Sequence, residues 1–264
     1  MFANQANVRL VADKLRDAAA IARARVLPYQ LLTAFQAASD EMPHAIRDAL
    51  QDAMELAVKN VPSIQGNMVV CPDVSGSMSS PVTSYRGSAT SRTTCIDVAA
   101  LITAAMLRSN PHAQVLPFET RVVNIRLNPR DSIMTNAEKL ARIGGGGTTC
   151  SAPLAELNRQ KADVDLLVMV SDNESWADRE QQWNSKTSLM QEWDKLKRRC
   201  PRAKLVCLDI QPYTTAQAQN RSDILNIGGF NDSVFALIGA FAKHGMGADG
   251  WVDAIEQIAL PAPL

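Results

Sequence analysis

The chain has 264 residues, of which 46% are apolar, and it carries 27 basic and 27 acidic side chains. This length and apolar content predict a globular protein with one large domain, or one domain with a small addition. The zero net charge excludes a basic surface spread over the whole molecule, so any contact with nucleic acid would be a local patch.

The first sixty residues predict helices only. Apolar side chains recur at steps of three and four from about Asn4 to Asn60, and no alternating stretch interrupts them. Pro28 and Pro43 divide this segment into three helices, the second from Tyr29 to Ala38 and the third from about Pro43 to Val61. Such a unit cannot bury its apolar faces alone, so we expect it to pack on the rest of the chain or on a further neighbour.

An apolar run at residues 67–72 is followed by an acidic and two hydroxyl residues, which predicts a buried strand that opens into a polar loop. Asp73, Ser75 and Ser77 stand at i, i+2 and i+4, so a loop that curls at Gly76 can turn their oxygens toward one point. Oxygen ligands suit Mg²⁺ and similar hard cations. These three are too few for a divalent ion, and alone they also fit a turn that caps backbone groups.

The next stretch, residues 79–92, is rich in Ser and Thr and fits a mobile linker, while an anion site that uses Arg86 or Arg92 stays open. A helix capped by Thr94 or the preceding threonine then runs to about Ser109.

Two alternating stretches, Gln114 to Glu119 and Arg121 to Leu127, predict a hairpin that gives the sheet one antiparallel edge strand. A short helix from Asn136 to Ile143 precedes four glycines and Thr148, and another helix begins near Pro153. A glycine loop before a helix can cradle phosphate. The Walker pattern requires Gly-Lys-Ser/Thr, however, and this loop ends in Gly-Thr-Thr, which disfavours a nucleotide site.

A second buried strand, Val164 to Asp172, also ends in an acid. The carboxyl ends of neighbouring parallel strands share one edge, where ligands bind. Asp73 and Asp172 would therefore face each other with Thr148 between them. Two carboxylates neutralise a divalent ion and leave it able to take an acidic group from a partner. Glu174 fits an outer acceptor, a direct ligand of the ion or a solvated carboxylate of the loop.

The rest of the chain alternates helices and strands. The helix from Asp178 to Arg199 ends in a basic cluster that fits a solvated helix terminus better than a phosphate site. The elements predicted after it are the strands Ala203 to Ile210 and Asp223 to Ile227 and the helices Ser233 to Lys243 and Trp251 to Leu260. This order predicts a three-layer α/β fold with a mostly parallel central sheet, one antiparallel edge strand and helices on both faces.

Five cysteines without any Cys-x-x-Cys pair indicate a reducing compartment. Zinc is disfavoured because none of the three histidines (His44, His112 and His244) stands at ligand spacing from a cysteine. The amino terminus lacks the apolar core of a secretory signal, and the weakly polar run from Val98 to Leu107 is too short to cross a bilayer. We expect a soluble, cytoplasmic protein without membrane contact.

The three polar loops together resemble the metal-ion-dependent adhesion site of von Willebrand factor A domains, which have a Rossmann-like fold. The segments Asp73-Val-Ser-Gly-Ser77, Gly-Gly-Thr148-Thr-Cys150-Ser and Ser-Asp172-Asn-Glu174 are most similar to the C-terminal A-type domain of the Ro (TROVE) RNA-binding proteins. The resemblance implies that Mg²⁺, or another hard divalent cation such as Mn²⁺ or Ca²⁺, is bound by five residues, the last two often through water: Asp73, Ser75, Ser77, Thr148 and Asp172.

The segment from Arg25 to Phe35 is similar to the last helical repeats that precede the A-type domain in Ro proteins. In that family a closed ring of helical repeats holds the RNA, and here only its final part has a counterpart. The resemblance implies two domains: residues 1–64, the end of a helical-repeat module, and residues 65–264, a von Willebrand factor A-like domain.

Three functions are compatible with these features. The first is a binding module of a Ro-like ribonucleoprotein that engages small noncoding RNA, protein partners or both through the cation. The second is a protein–protein adhesion module without RNA contact, which the neutral charge favours. The third, a metal-dependent phosphohydrolase, is disfavoured because Ser75 stands where such an enzyme needs a second Asp. We expect no enzymatic activity, and the oligomeric state stays open.

Overall fold

A computed structural model describes residues 5–37, 42–82, 93–172, 187–211, 218–219, 221–230 and 234–244. The helices in these residues are α1 (Gln5–Leu15), α2 (Ala18–Ala24), α3 (Pro28–Ala37), α4 (His44–Ala57), α5 (Cys95–Ser109), α6 (Ile133–Ala141), α7 (Ala152–Gln160), α8 (Ser188–Arg199) and α9 (Val234–His244). The strands are β1 (Met68–Pro72), β2 (Gln114–Val115), β3 (Leu166–Ser171), β4 (Lys204–Asp209) and β5 (Ile224–Gly228).

The five strands form one parallel sheet in the order β2-β1-β3-β4-β5. Pro72 of β1 lies opposite Val170 of β3, and Ser171 of β3 lies opposite Asp209 of β4. This register places the carboxyl ends of the three central strands side by side. The predicted α/β fold with a mostly parallel central sheet is confirmed, and the shared edge is the one at which its polar loops were expected to meet.

Both faces of the sheet are covered, so β1 and β3 are buried along their whole length and are apolar except for Ser171 at the end of β3. On one face, alternate residues such as Val70 and Val168 pack in a cluster with side chains of α5 and α9. On the other face, Cys71 and Met169 pack in a second cluster with Trp193 and other side chains of α7 and α8. The helices, the sheet and the opposite helices make the three predicted layers.

Antiparallel pairing at the edge is limited to a single bridge between Phe118 and Val122 in the described residues, a local correction to the predicted hairpin. The edge strand β2 instead runs parallel to β1. The N–H groups of Leu116 and Phe118 point toward β1 and donate hydrogen bonds to it. The residue between them, Pro117, faces the open side of the edge and has no N–H group with which to bind a further strand. The residues that follow pack their apolar side chains against helices instead, as Ile125 does.

The amino-terminal segment forms four helices where three were predicted. The additional break falls at Asp17, whose carboxylate accepts hydrogen bonds from the N–H groups of Ala19 and Ala20 and so caps α2. Helices α3 and α4 lie close to the predicted bounds. Side chains of these helices share a third cluster with α5 and α6, so the segment packs on the sheet domain as expected.

Several predicted boundaries meet the limits of the described residues. Helix α8 begins at Ser188 after the cap residue Thr187, whereas its predicted start at Asp178 lies outside the described residues. Residues 83–92 of the predicted linker, and the predicted helix from Trp251 to Leu260, also lie outside them.

The cysteines at positions 71, 95, 150, 200 and 207 are all buried, and none of them forms a disulfide. Among the helices that the structure describes, none combines the length and the apolar character that a membrane crossing requires.

Candidate metal centre

The loop after β1 is held by backbone hydrogen bonds from both neighbouring segments. The N–H of Asp73 donates to the carbonyl of Val170 in β3 at 2.8 Å, and the N–H of Val74 donates to the carbonyl of Phe118 at 2.8 Å. The chain then enters a 3₁₀ turn, Gly76–Ser79. These contacts fix the point at which the strand becomes a loop, and therefore the position of the Asp73 side chain.

Three hydroxyl groups from two separate segments meet in this loop. The oxygens of Ser75 and Ser77 lie 3.2 Å apart, and the Oγ1 hydroxyl of Thr148 donates to Oγ of Ser75 at 2.8 Å. Ser75 and Thr148 are buried, whereas Ser77 is partly exposed. The structure thus brings together three of the five predicted site residues by direct contact between their side chains.

The glycine loop carries Thr148 to this position because it can approach the turn closely. The N–H of Gly76 donates to the carbonyl of Gly146 at 3.1 Å, and the N–H of Thr149 donates to the carbonyl of Glu119 at 2.9 Å. Gly146 has a φ of +73°, and a Cβ there would overlap the carboxylate of Glu119. Position 146 therefore favours glycine for its backbone conformation, and a larger residue would also displace the end of the Glu119 side chain.

The carboxylate of Asp73 is fully buried and is oriented by two hydrogen bonds. Its Oδ1 accepts from the N–H of Ser75 at 2.9 Å, and its Oδ2 accepts from the hydroxyl of Ser171 at 2.7 Å. Burial, and to a smaller extent the nearby charge of Asp172, raise the pKa of Asp73 from 3.8 to about 6, although these hydrogen bonds lower it. Asp172, 2% exposed, is thus close enough to Asp73 to interact electrostatically.

A further carboxylate, not predicted as a site residue, lies at the same edge. Asp209 ends β4, lies opposite Ser171 and is 5% exposed. Burial, and then the charge of Asp172, raise its pKa to about 7. The sequence held a usable signal, because Asp209 is an acid near the end of a predicted apolar strand, as Asp73 and Asp172 are. This signal was overlooked because the next residue, Ile210, continues the apolar run, so that Asp209 does not stand at the end of the predicted strand.

The group of oxygens is suited to a hard divalent cation. The donors are carboxylates and hydroxyls only, which are ligands that Mg²⁺ and Mn²⁺ accept and that softer metals do not select. Among the described residues, no basic side chain lowers the pKa of Asp73 or Asp209. In the described residues, no group of three or more His, Cys, Asp or Glu side chains is arranged to hold a metal, so a cation here would depend on the hydroxyls and on water.

Comparison with known proteins gives the family. Residues 67–242 match the family described as the Ro60 vWA domain, which covers more than half of the chain. The chain belongs to the Ro60 vWA domain family. The fold and the suspected relationship to Ro proteins, both expected from the polar loops, are thereby confirmed.

Two matches from Deinococcus radiodurans are longer than this Ro60 vWA chain. It is 29% identical to a protein named RNA-binding protein RO60, in an alignment that covers 91% of this chain and 45% of that protein. The crystal structure of the Deinococcus radiodurans RO (RSR) protein superposes with a TM-score of 0.73 at 24% identity, over 92% of this chain and 49% of the other. The chain therefore spans about half the length of the relatives that it matches.

In this Ro60 vWA chain, two side chains of the basic cluster in the last turn of α8 donate to backbone carbonyls. Lys197 donates to the carbonyl of Ala203 at 2.9 Å, and Arg199 donates to the carbonyl of Ala162 at 2.9 Å. The accepting carbonyls lie in the segments that follow α8 and α7. Glu174, for which an outer acceptor, a direct ligand and a solvated carboxylate were all considered, lies outside the described residues.

Proposed function

We propose that this chain is a divalent-cation-dependent binding module of a Ro-like ribonucleoprotein, and that it binds partners without catalysing a reaction. The cation, of the Mg²⁺ class, is held by Asp73, Ser75, Ser77, Thr148 and Asp172. The observation that carries the proposal is the meeting of hydroxyls from two loops beside two buried carboxylates at one sheet edge.

Each residue has a separate part in this binding. Ser75 and Ser171 fix the two oxygens of Asp73, so that its charge faces the loop in one orientation. The bound cation supplies a positive charge with open coordination positions, and Mg²⁺ keeps water in such positions until another oxygen replaces it. The hydroxyls of Ser75, Ser77 and Thr148 add ligands without adding charge. The site is thereby suited to take an acidic group of a partner.

We propose small noncoding RNA, an acidic group of a protein partner, or both as that partner, in the cytoplasm. The RNA proposal is supported by the relative named RNA-binding protein RO60, of which this chain covers 45%. The alternative, adhesion to protein without RNA contact, is supported by the equal numbers of basic and acidic side chains. A carboxylate or a phosphate oxygen would suit the cation equally.

The cation site is tested by calorimetric titration of Mg²⁺ and Mn²⁺ into the chain and into Asp73→Ala. We expect the substitution to abolish cation uptake, because it removes a buried carboxylate, while circular dichroism shows that the fold is largely retained. Asp48→Ala is the matched control, since Asp48 is exposed on α4 and the charge change is the same. Undiminished Mg²⁺ binding by Asp73→Ala would show that the ligand assignment is wrong.

The partner is tested by filter binding of a structured small RNA across a range of salt concentrations, with Mg²⁺ or with a chelator. RNA contact should weaken steeply as salt rises, and cation-mediated contact should also be lost in chelator and in Asp73→Ala. Cation binding without RNA binding would support the protein-adhesion alternative. Release of phosphate from a generic ester would contradict the non-enzymatic assignment.

A further inference from the structure

Asp209 is a buried carboxylate with an unpaired oxygen. It is 5% exposed, and in the part of the chain that the structure describes its Oδ1 atom has no hydrogen-bond partner. The hydrogen bond from the N–H of Gly229 at 2.7 Å goes to the main-chain carbonyl of Asp209 and not to its side chain. Asp209 therefore differs from Asp73, both of whose carboxylate oxygens accept hydrogen bonds from the protein.

The register of the sheet places Asp209 in a row with Asp73, one of the proposed cation ligands. Pro72 lies opposite Val170, so the residues that follow them, Asp73 and Ser171, lie at the same level of the sheet. Ser171 in turn lies opposite Asp209. Residues at matching positions of parallel strands project to the same face of the sheet. Asp209 therefore lies two strands from Asp73 on the same face, about 10 Å away between backbones.

Asp172 connects the two ends of this row. Its charge acts on both Asp73 and Asp209, so three carboxylates share one polar end of the sheet. A buried carboxylate is strongly unfavourable unless a hydrogen-bond donor or a positive charge compensates it, and the described residues supply neither to Oδ1 of Asp209. A hydrated cation would supply both the positive charge and the missing donor, because water bound to a metal donates hydrogen bonds strongly to carboxylates.

We propose that Asp209 is a third carboxylate of the cation centre, and that it holds the hydrated ion from the β4 side through an ion-bound water. This inference rests on the proposed cation site and extends it by one residue. It also accounts for the separation of Asp209 from Asp73. A side chain two strands from Asp73 is better placed to contact a water bound to the ion than to contact the ion directly. Asp209 thus acts as a positioning residue that raises the negative charge around the ion.

The test compares Asp209→Asn with the unchanged chain by calorimetric titration of Mn²⁺ and Mg²⁺. Asparagine keeps the size of the side chain and removes the charge. We expect affinity for the ion to fall about tenfold or more, the range found when an outer partner of a metal ligand is lost. Asp48→Asn makes the same charge change on the exposed surface of α4 and is expected to leave the affinity unchanged.

Thermal unfolding in chelator separates this role from a merely structural one. Without metal, Asp209→Asn removes a buried, unpaired carboxylate, so its Tm should equal or exceed that of the unchanged chain. Added Mg²⁺ should then raise the Tm of the variant less than that of the unchanged chain. A variant that is less stable in chelator and that binds Mn²⁺ with undiminished affinity would overturn the inference.

The two proposals fail in different ways. If the unchanged chain takes up neither Mg²⁺ nor Mn²⁺, the cation site itself is wrong. If the unchanged chain and Asp209→Asn bind the ion equally while Asp73→Ala does not, the site stands and only the role of Asp209 is overturned.

Discussion

At the scale of single residues, the proposed site is distinguished by buried carboxylates whose charge is not neutralised by a basic side chain of the described residues. Asp73 receives hydrogen bonds from Ser75 and Ser171, yet its pKa still lies at about 6, because burial outweighs those bonds. Asp209 has a pKa of about 7 for the same main reason. A protein that keeps two such groups buried is poised to exchange protons for a metal ion.

These pKa values predict a pH dependence of the metal-free protein. Unfolded, each carboxyl has a pKa near 3.8; folded, the values are about 6 for Asp73 and about 7 for Asp209. Between these limits the folded state binds more protons than the unfolded state, so the free energy of unfolding falls as pH rises. We expect Tm measured in chelator to fall by several degrees between about pH 5 and pH 8.

Magnesium and one variant serve as controls for this prediction. With saturating Mg²⁺ the fall should be smaller, because the ion stabilises the charged carboxylates and competes with protons, so that its affinity rises with pH. Asp209→Asn should also reduce the fall, because it removes one of the two groups. A Tm in chelator that stays constant or rises across this range would contradict the assignment of raised pKa values.

The sequence is informative about single residues when the site is local. Asp73, Ser75 and Ser77 could be predicted because their spacing alone indicates that one loop can gather their oxygens. Thr148 and Asp172 required the further argument that parallel strands end at a common edge. Asp209 was missed because Ile210 continues the apolar run beyond it. Its position opposite Ser171 also depends on the register between β3 and β4, which is set by pairing between segments that are distant in the sequence.

At the scale of elements, the glycine loop before α7 determines where Thr148 lies. Gly146 combines a φ of +73° with contact to Glu119 and accepts a hydrogen bond from Gly76. Gly144 belongs to the same loop, but a Cβ there would meet no atom within 4 Å. The glycines of this loop therefore differ in their structural roles, which the sequence alone does not reveal.

This difference predicts the outcome of two alanine substitutions. Gly146→Ala should move the loop away from the turn, displace the Thr148 hydroxyl and weaken Mg²⁺ binding at least several-fold, with a loss of stability of about 1 kcal/mol or more from the positive φ. Gly144→Ala should change neither property appreciably. Calorimetric titration and thermal unfolding of both variants give the comparison. Equal effects of the two substitutions would show that the close contact at Gly146 does not position Thr148.

The predicted hairpin shows what sequence periodicity misses at this scale. The alternation from Gln114 to Leu127 is real, but alternation does not reveal which strand edge can donate hydrogen bonds. Pro117 removes the donor on the outer edge, and the chain that follows makes one bridge instead of a strand. By contrast, the long apolar runs of β1 and β3 predicted buried central strands correctly, since burial on both faces leaves no polar alternation.

At the scale of the whole molecule, the helical segment and the sheet domain share a core through α5. Residues of α5 are buried on all sides: Ile102 packs toward the sheet, whereas Leu101 packs with Leu50 and Met54 of α4. The side chain of Glu55 accepts a hydrogen bond from the N–H of Ile133 at 2.6 Å, at the start of α6. The domain boundary predicted near residue 64 is therefore crossed by a continuous apolar cluster.

This shared core predicts that damage in α4 will be felt in the sheet. Met54 is fully buried, so Met54→Ala should lower the free energy of unfolding by about 2–5 kcal/mol. Because α5 joins the clusters, hydrogen exchange in β3 should accelerate by the same factor as exchange in α4. Leu10→Ala is the control, because Leu10 lies on α1 and is 57% exposed. It should change the free energy of unfolding and the exchange rates only slightly. Acceleration confined to α4 would mean that the helical segment unfolds on its own and that the boundary near residue 64 separates two independent units.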